Sequence, residues 1–119
     1  MSTAISWNLQ MSVNEGQLDN LKGLMVEMEQ KTKSDEPGAL AYEFYMDESE
    51  SKVHVYEKYA DAGAVLAHLG NFGEHFAERF MTYLTIESFT VYGPATDEIK
   101  GALAPFGTVF YKQVGGFTR

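Results

Sequence analysis

Between Ile5 and Tyr92 the spacing of apolar residues switches between the period of a strand and that of a helix, in an order that few folds accommodate. Ile5, Trp7, Leu9, Met11 and Val13 alternate with Ser6, Asn8, Gln10 and Ser12, which is a strand with one apolar face. Leu18, Leu21, Leu24, Met25 and Met28 then recur at helical spacing. Asn14 with Gln17 reads as an N-cap and its capping-box partner. The polar run Gln30 to Glu36, followed by Pro37-Gly38, is expected to stop this helix. Ala39 to Met46 alternates again, with Leu40, Tyr42, Phe44 and Met46 predicted on one side. After an acidic, serine-rich hairpin, Val53 to Tyr59 is a third strand with Val53, Val55, Glu57 and Tyr59 facing one way. Asp61 caps a second helix through Val65, Leu66 and Leu69, and Gly70 and Gly73 are expected to kink it. Phe72, Phe76 and Phe80 form a further apolar stripe, and Tyr83 to Tyr92 is a fourth strand.

This β-α-β-β-α-β order predicts an α+β fold, the ferredoxin-like plait: an antiparallel sheet with helices on one face. Thr96 is expected to cap a short helix, Asp97 to Ala104, before a fifth strand, Thr108 to Val114. The reading is one domain over 1–119, with a plait core of about 1–94 and a helix–strand extension over 95–119. Several strands carry bulky groups on both faces, such as Tyr42 and Phe44 against Tyr45, and Val55 and Tyr59 against Tyr56. A sheet face so furnished wants a cover, and a homodimer is the expected one.

Composition narrows the function. Nine Lys+Arg against 17 Asp+Glu leave a net charge of −8, which disfavours nucleic acid and anionic membrane surfaces as partners. The apolar runs are too short to span a bilayer. The start Met1-Ser2-Thr3-Ala4 lacks the marks of a signal peptide, so a cytoplasmic protein is expected. With no cysteine there is no thiol chemistry or thiolate metal site. No phosphate-binding Gly-rich loop, nucleophile elbow or zinc motif is present, so neither a metal nor a cofactor is expected.

The candidate chemistry falls on a few side chains. His68 precedes Leu69-Gly70-Asn71, where its ring is placed either as a proton acceptor between helix and sheet or as a helix histidine bonded to a carbonyl or water. His75, two helical turns away, is too distant to share a metal ion with it and reads as exposed. Glu57 shares an otherwise apolar row, where a carboxylate must be paired, hydrogen-bonded or protonated. It is either a proton-transfer group, or a structural acid that pairs with a Lys or Arg or lies at the sheet rim. Tyr42, Tyr45, Tyr59, Asn71 and Trp7 are candidates for orienting an aromatic ligand, although each taken singly reads as core packing before pocket wall.

The strand Glu57, the Tyr59-Ala60-Asp61 that follows, the helical Ala67-His68 and the subsequent Gly70-Asn71 together resemble the antibiotic biosynthesis monooxygenase (ABM) domain family, in its quinol-monooxygenase-like branch. The tail from Tyr92-Gly93-Pro94 to Gly116-Phe117-Thr118-Arg119 is similar to an extension in some members. The resemblance implies a homodimeric α/β barrel with a pocket between sheet and helices in each subunit. It also implies oxidation of a small aromatic hydroxy compound or quinol by molecular oxygen, without metal or flavin. His68 is then the base and Glu57 its orienter or a second proton carrier, with Tyr42, Tyr45, Tyr59, Asn71 and Phe72 as substrate-binding residues. A cofactor-free isomerase using the same pocket and a non-catalytic, hydrophobic-ligand-binding dimer are the alternative readings.

Overall fold

The computed structural model describes residues 2–119. Strands β1 (Ile5–Val13), β2 (Ala39–Met46), β3 (Lys52–Tyr59), β4 (Leu84–Tyr92) and β5 (Val109–Tyr111) form one sheet in the order β2-β3-β1-β4-β5. The first four are antiparallel neighbours, and β5 joins the edge parallel to β4. Helices α1 (Leu18–Asp35), α2 (Ala62–His75), α3 (Ala77–Tyr83) and α4 (Asp97–Leu103) complete the plait, with a 3₁₀ turn at Ala104–Phe106. Ile5, Trp7, Leu9 and Met11 of the central strand are buried, as are Val53, Val55 and Tyr59 of β3. Leu21, Leu24 and Met28 of α1 close over them. Burying each such large apolar side chain contributes about 1.5–3 kcal/mol. Among the described residues no helix is long and apolar enough to cross a membrane.

Three local expectations change and a fourth is refined. Asn14 does not cap α1: its side chain donates to the Thr82 carbonyl at 2.9 Å and accepts from the Thr85 hydroxyl at 2.6 Å, and the helix begins after Gln17. A turn through Gly16, at φ 77°, separates Asn14 from the first helical N–H groups. The polar run is itself helical to Asp35, because Thr32 continues the buried stripe of Met28 one turn on and Lys31 pairs with Asp35 outside, and the helix ends just before Pro37-Gly38 as expected. Gly70 and Gly73 lie within a continuous α2, and the break falls at Phe76 (φ −129°, ψ −25°). Packing of Phe76 and Phe80 into the core overrides the glycines' local preference. Leu40 points outward, 57% exposed, since an irregularity in the β2–β3 register between Ala39 and Ala41 shifts its parity.

Asp61 and Thr96 do cap their helices, accepting from Ala64 N–H and Ile99 N–H. The fifth strand is shorter than its sequence suggests, and the residues after Tyr111 run exposed as coil. Gly38 matters more than its place in a turn indicates. A Cβ there would stand 2.6 Å from that of Ala64, so the α1–β2 turn packs directly on the first turn of α2. That contact brings Glu36, the last residue before Pro37-Gly38, to the side of α2 that carries His68.

Candidate functional site

Strand register builds the floor. On β1, Trp7 stands opposite Glu57 of β3, and Glu57 in turn stands opposite Tyr42 of β2. Three adjacent strands thus present Trp7, Glu57 and Tyr42 in one row on the inner face. Helix α2 lies over this row and lowers His68 onto it. The imidazole centroid is 5.0 Å from that of Tyr59, 5.5 Å from Tyr42 and 6.3 Å from Trp7.

His68 is held between two acids. Its Nδ1 lies 2.9 Å from Glu36 Oε1, and its Nε2 lies 3.1 Å from Glu57 Oε1. All three side chains are buried. The Tyr59 hydroxyl donates to the same Glu57 Oε1 at 2.5 Å, and Asn71 Nδ2 donates to Glu36 Oε2 at 3.4 Å. Burial alone would depress the imidazole's pKa, but hydrogen bonding and charge attraction from Glu36 and Glu57 outweigh it and raise the value to about 9. At neutral pH the ring is therefore an imidazolium. Burial, reinforced by the neighbouring carboxylates, pushes the hydroxyls of Tyr42 and Tyr59 well above the ordinary phenol range, so both remain neutral donors.

The row opens onto a cavity of about 280 Å³. Leu9, Val55 and Phe89 of the sheet and Leu69, Phe72 and Phe80 of the helices make its walls apolar. The C-terminal extension supplies another side through Ala102, Leu103 and Phe106. Phe106 and Met81 are both partly exposed, at 41% and 46%, and mark its outer rim. Glu57 makes its contacts through Oε1, and its Oε2 has no hydrogen-bond partner among the described residues. Trp7 Nε1, also buried, has none either.

The expected site residues separate on this geometry. His68, Glu57, Tyr42 and Phe72 line the cavity. Tyr59 does not; it is wholly buried behind Glu57 and reaches the site through that carboxylate. Asn71 is likewise set back, against Glu36. Tyr45 is a correction: one residue off the parity of Tyr42 and Phe44, it lies on the sheet's outer face, 55% exposed. His75 is on the surface beside Glu74, and His54 is exposed on the outer face of β3.

One residue of the cluster was not legible as such: Glu36 reads as the end of a solvated polar run, and the Gly38–Ala64 contact sets it against α2. Trp7, a candidate for orienting a ligand, is placed beside Glu57 by strand register. Among the described residues no three His, Asp or Glu side chains converge to hold a metal ion; Glu36 and Glu57 sit against different nitrogens of the same ring.

No curated protein sequence matches the chain significantly. Among solved structures, MupZ from Pseudomonas fluorescens is similar over 100% of this chain and 91% of its own, at 29% identity and a TM-score of 0.87. A conserved protein from Methanosarcina mazei Go1 shares the fold over 76% of this chain and 91% of its own, at 20% identity and a TM-score of 0.65. A variant of SnoaB, a cofactor-independent oxygenase from Streptomyces nogalater, shares it over 80% and 96%, at 12% identity and a TM-score of 0.65. The family model for antibiotic biosynthesis monooxygenases matches residues 5–80, more than half the chain and the span that carries Trp7, Glu36, Glu57 and His68. The chain belongs to the antibiotic biosynthesis monooxygenase family.

Proposed function

We propose that this cavity is the active site of a cofactor-independent monooxygenase that acts on a small aromatic hydroxy compound or quinol. The observation that carries the reading is a carboxylate oxygen, Glu57 Oε2, left uncommitted at an apolar cavity beside a charged imidazole. Glu57 is the proton acceptor. His68, with a carboxylate at each nitrogen, is the fixed positive charge that favours the substrate anion, which reverses the roles its sequence position suggested. Tyr42 and Phe72 are substrate walls, and Tyr59 and Asn71 orient the two acids.

Deprotonation of a phenol, or of the activated methylene of its keto tautomer, leaves an electron-rich carbanion. That anion passes electrons directly to dioxygen in a water-poor site. For a methylene carbon the balance is simple: one oxygen atom becomes the new carbonyl, and the other takes up the two hydrogens lost and leaves as water. The fold of SnoaB accommodates oxygen chemistry without a cofactor, which is compatible with this reading. The exposed Tyr45, Tyr92 and Tyr111 belong to the outer sheet face and its edge, and in this proposal a second copy covers them in a cytoplasmic homodimer.

The test is oxygen consumption by chelator-treated protein against anthrones, hydroquinones and catechols. Uptake in proportion to enzyme, with one labelled atom from ¹⁸O₂ in the product, is the expected result. Absence of uptake across the panel would overturn the oxygenase reading. A second reading, isomerisation by proton relocation, draws on the same juxtaposition of carboxylate and imidazolium; it predicts solvent deuterium in the product with no oxygen consumed.

A further inference from the structure

We infer that the cavity takes an elongated ligand, with a polar head at Glu57 and an aliphatic chain that leaves through a mouth framed by Gly73, Met81, Ala102 and Phe106. The inference rests on the cavity being the active site, as proposed above, and adds the shape of the molecule it serves. The lining is graded from inside to outside. Its charged side chains, Glu57 and His68, are each 5% exposed and stand at the inner end. Glu57 Oε2 is unpaired there, an acceptor that calls for a donor on the ligand head. The lining residues that reach the surface are Gly73 of α2, Met81 of α3, Ala102 of α4 and Phe106 of the 3₁₀ turn. All four are apolar, in a chain of which 22% is charged. No side chain at the mouth hydrogen-bonds or pairs with a charge, so a polar group gains nothing by lying there. A run of methylenes does gain, because it covers Met81 and Phe106, 46% and 41% exposed, as it leaves water itself.

Small residues keep the passage open. Gly73 lies within α2, where glycine costs helix stability. Its φ is not positive, and a Cβ there would meet nothing within 4 Å. Neither a turn nor close packing therefore asks for glycine at this position, and its effect is to leave the mouth unobstructed. Ala102 brings only a methyl group from the facing segment. That segment is firmly seated: Ile99 and Leu103 of α4 are buried, and the Thr108 hydroxyl donates to the Leu103 carbonyl at 2.6 Å. Met81, Ala102 and Phe106 all lie beyond residues 5–80, the span that matches the family model, so most of the mouth is built from this chain's C-terminal part.

Two phenols that share a head and differ in chain test this by calorimetry under argon: 4-methylphenol and 4-octylphenol. The octyl compound is expected to bind at least about a hundredfold more tightly, since each methylene taken out of water contributes about three- to fourfold. Met81 is the one methionine that lines the cavity, and its methyl resonance, identified with Met81→Leu, locates the chain. In methyl-labelled protein, NOEs should connect the octyl chain with Met81. In Ala102→Leu, which narrows the mouth at an exposed position, the preference for octyl over methyl should fall by at least about tenfold. Equal affinity of the two phenols, or failure of 4-octylphenol to bind, would overturn the inference. So would a bound octyl chain without NOEs to Met81, or a preference undiminished in Ala102→Leu. The NOE experiment uses the unaltered protein, so it decides the matter even if Ala102→Leu does not fold. Oxygen plays no part in either measurement. Chain binding at the mouth with no oxygen uptake on any substrate would refute the oxygenase reading alone, whereas uptake with short quinols and no octyl preference would refute this inference alone.

Discussion

Glu57→Gln is expected to lower turnover by a factor of about 10²–10⁴, the usual contribution of a positioned general base. The substitution is nearly isosteric, and the neighbours dictate how the amide sits. Tyr59 O–H and His68 Nε2–H both face the Oε1 position, which must therefore be the amide oxygen. The NH₂ is then left toward the cavity, where a donor replaces the proton acceptor. The variant should remain folded, since the Tyr59 hydrogen bond survives. Steady-state rates on any substrate found by oxygen uptake check this. A variant with parental kcat would remove Glu57 from the chemistry and return the base to another group.

Glu36→Gln acts at one remove, through His68. The Glu36 carboxylate approaches the ring more closely than Glu57 does, 2.9 Å against 3.1 Å, and hydrogen bonding to it is the largest influence that raises the imidazole's pKa. Without that charge, burial has more weight and the ring titrates at lower pH. If the imidazolium supports turnover, activity falls as pH rises through about 9 in the parent, and this limb moves toward neutrality in Glu36→Gln. A residue that merely filled space would leave the limb where it is.

The same shift has a stability signature. A histidine whose pKa is raised from 6.5 to about 9 on folding contributes stability that is fully present below about pH 6.5 and lost as pH rises through 9. The span corresponds to about 3 kcal/mol. Glu36→Gln should be less stable than the parent to urea at pH 6, with the gap narrowing toward pH 10. A gap of constant size across that range would mean that Glu36 supports the fold without governing the charge on His68.

Much of this was written in the periodicities. The order of strands and helices follows from where period two gives way to helical spacing, because each amphipathic face has only the opposing layer to bury against. Glu57 and His68 stand out as polar groups in apolar stretches, and both are buried. What sequence could not supply is set by contacts between distant segments. Glu36 looks like its solvated neighbours Asp35 and Lys33 until the Gly38–Ala64 contact sets it against α2. Once a second acid reaches the ring, His68 changes from a free base to a fixed cation, and the task of accepting a proton passes to Glu57. Leu40 fails for a local reason: an irregular register reverses side-chain parity without altering composition. Tyr45 shares the aromatic character of Tyr42 but not its parity, and parity decides which face it joins.

The measurement that bears most directly on the site is the titration of His68 in the unaltered protein, followed through its ¹⁵N ring resonances. The three histidines are assigned with His54→Gln and His75→Gln, both exposed. His68 should keep the imidazolium pattern through neutrality and lose it only near pH 9. A ring that turns neutral near pH 6.5, like an exposed histidine, would contradict the charged Glu36–His68–Glu57 cluster and the division of roles drawn from it.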